Sequence, residues 1–376
     1  MSLPRGALAI LGCGLFGMGL AVGGFGTYVS GLVERGVTPS LAGFGSTLFL
    51  FGQFVVVWPT DTLSRRFSVR LVAAVGLGLG TVGTALGGVL SLPVALGGRL
   101  LLGLGMGAAF LAAMTYAGLR VEDGQIARMQ GLLGATFTLG LAVGIAVTPR
   151  AVDVVGPTLP ALVAAVPVAI STVLAPSLQP VETRDHQPFT AYVEAFRSPV
   201  GIALGLGNAA SFGLLIVATT WYTDVLARVP ALPATLVLTG FAIATFFGRT
   251  YSGWVTTVTT QRRAVEGGLV FLACSLGLVA ASLWLESSVA LAVALVLTGL
   301  GFGLPFGPLF SLAFENVGAD AGVLLVGMTA IGNVVALAYP WLVGELLEVT
   351  AGYAAGFLAM SLTTFGVVAV WRRTLY

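Results

Sequence analysis

The chain has 376 residues, of which 57% are hydrophobic and 9% charged, with a formal net charge of +2. Soluble domains carry roughly a quarter charged residues, so this chain lacks the polar surface to coat a water-soluble globule, and its main solvent is the lipid bilayer. The small net charge gives no basis for a nucleic-acid partner. Cys13 and Cys274 stand alone in separate apolar runs and His186 is the single histidine, so neither a disulfide frame, a metal site nor a cofactor is expected.

Along the chain, twelve apolar runs are close to the roughly 20 residues needed to cross the hydrocarbon layer. They cover 6–29, 39–59, 70–90, 93–118, 129–149, 157–178, 200–225, 232–254, 266–285, 289–314, 322–344 and 353–371. The first is too long for the apolar region of a cleavable signal and leads into further membrane segments. Pro39, Pro93, Pro157, Pro199 and Pro230 sit at or just outside span starts, where a missing backbone donor does least harm. Many of the 53 glycines fall inside spans, as in Gly76, Gly78, Gly80 and Gly103, Gly105, Gly107. In lipid, small residues let helices approach closely, which replaces the missing hydrophobic drive.

The longest polar stretch, Gln179 to Arg197, separates six spans from six. The expected organisation is a six-helix bundle over 1–178, a cytoplasmic central loop over 179–199 and a second six-helix bundle over 200–376. Every other gap is short, which leaves no room for a soluble catalytic domain. The arginines set the orientation by their loop asymmetry. With the N-terminus in the cytoplasm, the inner loops and tails hold Arg5, Arg65, Arg66, Arg70, Arg120, Arg128, Arg184, Arg197, Arg262, Arg263, Arg372 and Arg373. The outer loops hold Arg35, Arg150 and Arg228. A multi-pass protein of the cell membrane with both termini cytoplasmic follows as the expectation.

Arg99 and Arg249 are stranded inside apolar runs. A charge in lipid costs several kcal/mol at least, and persists only where it faces protein or a water-filled cavity. Arg249 lies thirteen residues before Arg262, about 20 Å of helix, and Arg99 about 12 Å of helix from Ser91. A guanidinium offers a planar fork suited to carboxylate, nitrate or phosphate-like groups. The competing role for either arginine is structural, held by carbonyls or a loop acid. Clustered His, Asp, Glu or Cys and a nucleotide loop are missing from the spans, so no catalytic residue and no enzyme activity are expected. Gly76-Leu-Gly78 and similar runs lie mid-membrane, as packing motifs and not phosphate cradles.

The ends of spans two and eight match. One runs Phe54-Val-Val-Val-Trp-Pro-Thr-Asp61-Thr-Leu-Ser-Arg-Arg-Phe-Ser-Val-Arg70, the other Phe247-Gly-Arg-Thr-Tyr-Ser-Gly253-Trp-Val-Thr-Thr-Val-Thr-Thr-Gln-Arg-Arg263. Each leaves an apolar run, passes a turn-like polar patch and reaches an arginine cluster. Such internal symmetry marks transporters built from repeats that rock about a central site. Over its whole length the chain resembles the major facilitator superfamily. That resemblance implies an all-α polytopic membrane protein, with twelve transmembrane helices in two pseudo-symmetric six-helix bundles. The family's Gly-x-x-x-Asp-Arg-x-Gly-Arg-Arg loop corresponds here to Asp61-Thr-Leu-Ser-Arg-Arg-Phe-Ser-Val-Arg70. Asp61 replaces the first Gly, Arg65 the Asp and Ser68 the second Gly, while Arg66 and Arg70 match. Arg99-Leu-Leu-Leu-Gly103-Leu-Gly105 is similar to the family's Arg-x-x-x-Gly-x-Gly motif of helix four, which implies a packing or gating role.

Arg249-Thr-Tyr-Ser-Gly253-Trp is similar to a helix-eight stretch of the nitrate/nitrite porters and related anion carriers, and Gly327 to Asn333 followed by Pro340 to their helix eleven. The second arginine of those porters corresponds to Val57, and their helix-five signature is missing. The resemblance implies a secondary active or facilitative carrier of a small solute working by alternating access, a small anion being preferred. Helices one, four, seven and ten line the cavity in this superfamily. The substrate-contact candidates are Arg249, Asn208, Ser211 and Asn333, with Phe302 and Phe306 on a glycine- and proline-rich helix ten where a bend is expected. Trp221 and Tyr222 read as an interfacial aromatic belt. Asp61, Glu315, Glu345 and Glu348 lie at span ends, so the coupling ion is open as a partner. A monomer is expected. Efflux of hydrophobic drugs is the alternative transport reading, and a membrane receptor or sensor the non-transport one.

Overall fold

The computed structural model describes residues 5–37, 39–181, 185–229, 231–317, 320–350 and 352–375. Arg184 and Pro230 lie outside the described residues, as do the side chains of Pro340, Glu345 and Glu348. The described residues are helical almost throughout. The first half runs α1 (Arg5–Gly23), α2 (Phe25–Val33), α3 (Pro39–Arg66), α4 (Val69–Gly87), α5 (Leu92–Arg120), α6 (Asp123–Val155) and α7 (Thr158–Leu174). The remainder runs α8 (Phe189–Arg197), α9 (Pro199–Asn208), a π-helical turn (Ala209–Gly213), α10 (Leu214–Ala227), α11 (Ala234–Val255), α12 (Gln261–Trp284), α13 (Ser288–Gly303), α14 (Phe306–Val317), α15 (Ala321–Thr350) and α16 (Tyr353–Leu375). Among the described residues, ten helical stretches are long and apolar enough to cross a membrane. With α3 and α11, of 28 and 22 residues, they correspond to the twelve expected spans.

Short polar residues start several of these helices. Ser68 accepts from Leu71 N at 3.2 Å to cap α4, and Ser198 accepts from Gly201 N at 2.9 Å to cap α9. Each supplies one of the acceptors that the first turn of a helix lacks. Pro93 and Pro199 occupy the first turns of α5 and α9, where their fixed φ suits the helix.

Two compact units divide the chain: Met1–Gln125 with Leu132–Pro188, and Ile126–Gly131 with Phe189–Tyr376. In the first, α4 packs along α5 and α7, α3 along α5, and α1 along α7. Glycine sets the closeness of these contacts. A Cβ at Gly105 would stand 2.3 Å from Gly80 N of α4, and one at Gly103 2.1 Å from Phe49 O of α3. No side chain fits at either distance, so α5 lies backbone to backbone between its neighbours. In the second unit, α11 packs on α13, α12 on α13 and α16, and α15 on α9 and the π turn.

The structure refines four local expectations. The first span, one stretch from Arg5 to Val29 by length and composition, has a break in its helix at Gly24, between α1 and α2. The polar patch after Pro59 is not a turn. α3 continues to Arg66 with Pro59 inside it; within this stretch Thr60 Oγ1 donates to Val56 O at 2.7 Å, and Arg65 Nε donates to Asp61 Oδ2 at 2.7 Å, one turn apart. The polar patch after Arg249 is helical as well, through Val255. The central polar stretch contains a helix, α8, whose Tyr192 is buried.

Candidate functional site

In the second unit, the seventh and tenth spans are irregular helices. The seventh winds as α9, the π turn and α10, so one residue more than an α-helix needs is accommodated at Ala209–Gly213; such turns recur at functional sites. The tenth breaks at Leu304 and Pro305, between α13 and α14. Pro305 has no backbone N–H to give. Beyond it, Gly307 N finds its acceptor in Ser252 Oγ at 3.3 Å, and Ser252 Oγ donates to Arg249 O at 2.7 Å. The helix break is thereby tied to the turn that carries Arg249.

Arg249 is fully buried, at 0% exposure. Its guanidinium carbon lies 4.2 Å from the centroid of the Phe306 ring, a cation–π placement in which the ring face meets the charge. Glycines grip its backbone from two sides: a Cβ at Gly303 would fall 2.7 Å from Arg249 N, and one at Gly131 2.6 Å from Arg249 O. Phe306 also packs on Phe310, with ring centroids 4.8 Å apart.

A second group lies where α9 and the π turn meet α15. Asn208 Nδ2 donates to Met328 O at 3.1 Å, and a Cβ at Gly332 would stand 2.3 Å from that same nitrogen. Asn208, Ser211 and Asn333 are 2%, 1% and 0% exposed. Asn208 Oδ1, Ser211 Oγ, Thr329 Oγ1 and both amide atoms of Asn333 are buried without a hydrogen-bond partner in the protein. A buried polar atom left unpaired costs about 1–3 kcal/mol, so five in one neighbourhood of a helix pair demand a reason. Thr329 was missed from sequence: a threonine in an apolar run carries no signal until its surroundings are known.

Phe302 belongs elsewhere. It packs edge-on to Phe241 at 6.2 Å, and Phe241 packs edge-on to Tyr222 at 5.2 Å. Tyr222 is not an interfacial belt residue. It is 0% exposed, and its hydroxyl shares a hydrogen bond of 2.7 Å with Thr298 Oγ1. A buried tyrosine keeps its hydroxyl partnered, and Thr298 on α13 provides that partner in the protein interior.

The motif residues of the first unit are mostly engaged in packing. Asp61 and Arg65 form an ion pair with side chains 1% exposed, and Arg65 Nη1 also donates to Asp185 O at 2.9 Å. Arg66 lies over the Phe67 ring. Arg70 Nη1 donates to Pro176 O and Leu178 O, both at 3.1 Å, and so ties down the short turn that follows α7. Arg99 is 4% exposed, with its guanidinium carbon 3.8 Å from the Phe25 centroid and 4.6 Å from that of Phe49. Its Nε donates to Gly45 O at 3.4 Å. Two elements, α2 and α3, converge on this cation, with Gly103 and Gly105 on its own helix against α3 and α4.

Comparison with known proteins places this geometry. The family model described as Major Facilitator Superfamily matches residues 11–340. No curated protein matches the chain. Among solved structures, the fucose:proton symporter FucP of E. coli is similar at a TM-score of 0.75 and 16% identity, over 98% of each chain. A proton:xylose symporter, XylE, is similar at a TM-score of 0.78 and 12% identity, over 99% of this chain and 95% of its own. The human organic anion transporter MFSD10 is similar at a TM-score of 0.78 and 15% identity, over 98% of this chain and 100% of its own.

Proposed function

The chain belongs to the Major Facilitator Superfamily, a family of solute transporters that work by alternating access, and from that premise we propose that this member carries a small anion that engages Arg249. The observation that carries the reading is the burial of polar groups in the second unit. Arg249 is 0% exposed in an apolar run, and Asn208, Ser211, Thr329 and Asn333 keep buried polar atoms that the protein does not satisfy. A polar solute that engages these groups during transport accounts for both. The planar fork of Arg249 selects for a carboxylate, nitrate or phosphate-like group over a neutral one, and Asn208, Ser211 and Asn333 supply donors and acceptors for the remainder of the solute. Phe302 rests in the Tyr222–Phe241 stack, so its role is support, whereas Phe306 holds the guanidinium in place. The neighbours' cargoes, two sugars and organic anions, are polar solutes too, but the anion reading rests on Arg249.

Asp61 is the single acidic side chain in the buried set among the described residues, and it is paired with Arg65. Transport is then coupled through the anion itself, through exchange or through Asp61, or it is passive. The cell membrane, cytoplasmic termini, a monomeric state and a division into 1–178, 179–199 and 200–376 complete the proposal.

The test is a thermal-shift panel on the purified protein, with nitrate, phosphate and short carboxylates set against neutral sugars. A ligand at a hundred times its Kd adds about 2.7 kcal/mol of apparent stability by mass action. The reading expects a shift with one anion class, lost in Arg249→Lys, which keeps the charge and removes the fork. A shift with sugars alone, or an anion shift unchanged in Arg249→Lys, would overturn it.

A further inference from the structure

The first unit holds a cavity of about 210 Å³ bounded by residues of α1, α2, α4, α5, α6 and α7. Its walls are apolar apart from a few side chains, of which two matter. Arg99, 4% exposed, has Nη1 buried without a hydrogen-bond partner, and Thr84, 2% exposed, has Oγ1 in the same condition. Both line the cavity. Arg99 is already fixed by Phe25, Phe49 and Gly45 O, so the cation is held in place while part of its fork stays unused. The residues of α6 and α7 that bound the cavity include Val147, Leu159 and Val163, which are 54%, 49% and 58% exposed. In a membrane-spanning unit, those side chains face lipid. The cavity therefore opens towards the bilayer between α6 and α7, with a cation and a hydroxyl at its inner end.

We propose that this cavity binds the carboxylate end of a single-chain fatty acid that enters from the bilayer. A carboxylate has two oxygens to place, and the cavity lining includes the Arg99 cation and the Thr84 hydroxyl to receive them. The apolar walls take the first methylenes, and the rest of the chain stays in lipid past Val163. The cavity is small beside sites for drug-sized ligands, which run to about 300–1,000 Å³, and a two-chain phospholipid brings a glycerol and a phosphate besides. Arg99 also lies seven residues after Leu92, about 10 Å along α5, deeper than a phosphate anchored among headgroups. An anion beside Arg99 offsets the cost of burying that charge. The site lies wholly within the first unit and does not depend on Arg249.

The test uses the whole protein in phosphatidylcholine nanodiscs with a palmitic acid that carries a mid-chain diazirine. Photolabelling should map to the α6 and α7 residues at the mouth and be displaced by palmitate. Hexadecanol should compete at least tenfold more weakly, because it lacks the charge. Arg99→Gln should lower labelling at least tenfold. Gly87→Phe should do the same by filling the cavity: Gly87 lines it, and a Cβ there meets nothing within 4 Å. This second variant decides the matter if Arg99→Gln fails to fold. Equal competition by hexadecanol, full labelling of Gly87→Phe, or displacement by phosphatidylglycerol as effective as by palmitate would overturn the proposal.

Discussion

Arg249 and Arg99 are both buried guanidiniums over aromatic rings, yet their neighbours give them different work. Arg99 is clasped by two phenylalanines and a carbonyl within the first unit, beside a cavity. Arg249 stands on a turn locked by Gly303, Gly131 and Ser252, next to a broken helix. The third buried arginine, Arg65, is held by Asp61 on its own helix at 2.7 Å. In this position the family pattern has a glycine and an aspartate, and this chain has an aspartate and an arginine that pair with one another. Breaking a buried pair by removing one partner costs about 3–5 kcal/mol, while replacing both by apolar residues is often close to neutral. Asp61→Asn should therefore lower stability to unfolding by about 3 kcal/mol, and Asp61→Leu with Arg65→Met by clearly less, as read by thermal unfolding of the purified protein. Equal losses in the two variants would show that the pair does not act as a unit. The two charges were visible in the sequence, but their pairing was not. It required α3 to run past Pro59, and a proline usually reads as the end of a helix.

At the scale of elements, the spans were legible because a run of about 20 apolar residues has few alternatives in lipid. Breaks inside the spans were less so. Gly24, and the π turn at Ala209–Gly213, differ little in composition from their flanks, and nothing local marks one glycine among many as a break. The tenth span was the exception, since Pro305 and Pro308 stand in a glycine-rich stretch and the chain breaks beside Pro305. Tyr222 was misplaced for a related reason: near a span end, an aromatic beside an acid looks interfacial until its hydroxyl is seen to reach Thr298. The glycines of α5 give an element-scale test. Gly103→Ala places a Cβ 2.1 Å from Phe49 O, whereas at Gly97 a Cβ meets nothing within 4 Å. Overpacking against backbone costs about 1–3 kcal/mol. Gly103→Ala should lose that much, and Gly97→Ala should hold or gain slightly from its better helix propensity. If both variants unfold at the same temperature, α5 is not held by glycine contact.

For the whole molecule, the chain's composition settled the solvent and its internal symmetry pointed to the family, and the match over residues 11–340 agrees with both. Substrate choice was less legible. It lies in a handful of polar atoms, such as those of Asn208, Thr329 and Asn333, whose burial and lack of partners emerge only when α9 and α15 are packed together. The central claim is that this carrier moves a small anion by way of Arg249. Uptake of the anion identified by thermal shift into proteoliposomes tests it most directly. Wild-type protein should give saturable uptake, and Arg249→Lys should reduce it at least tenfold while still folding. Uptake by Arg249→Lys at the wild-type rate would contradict the account.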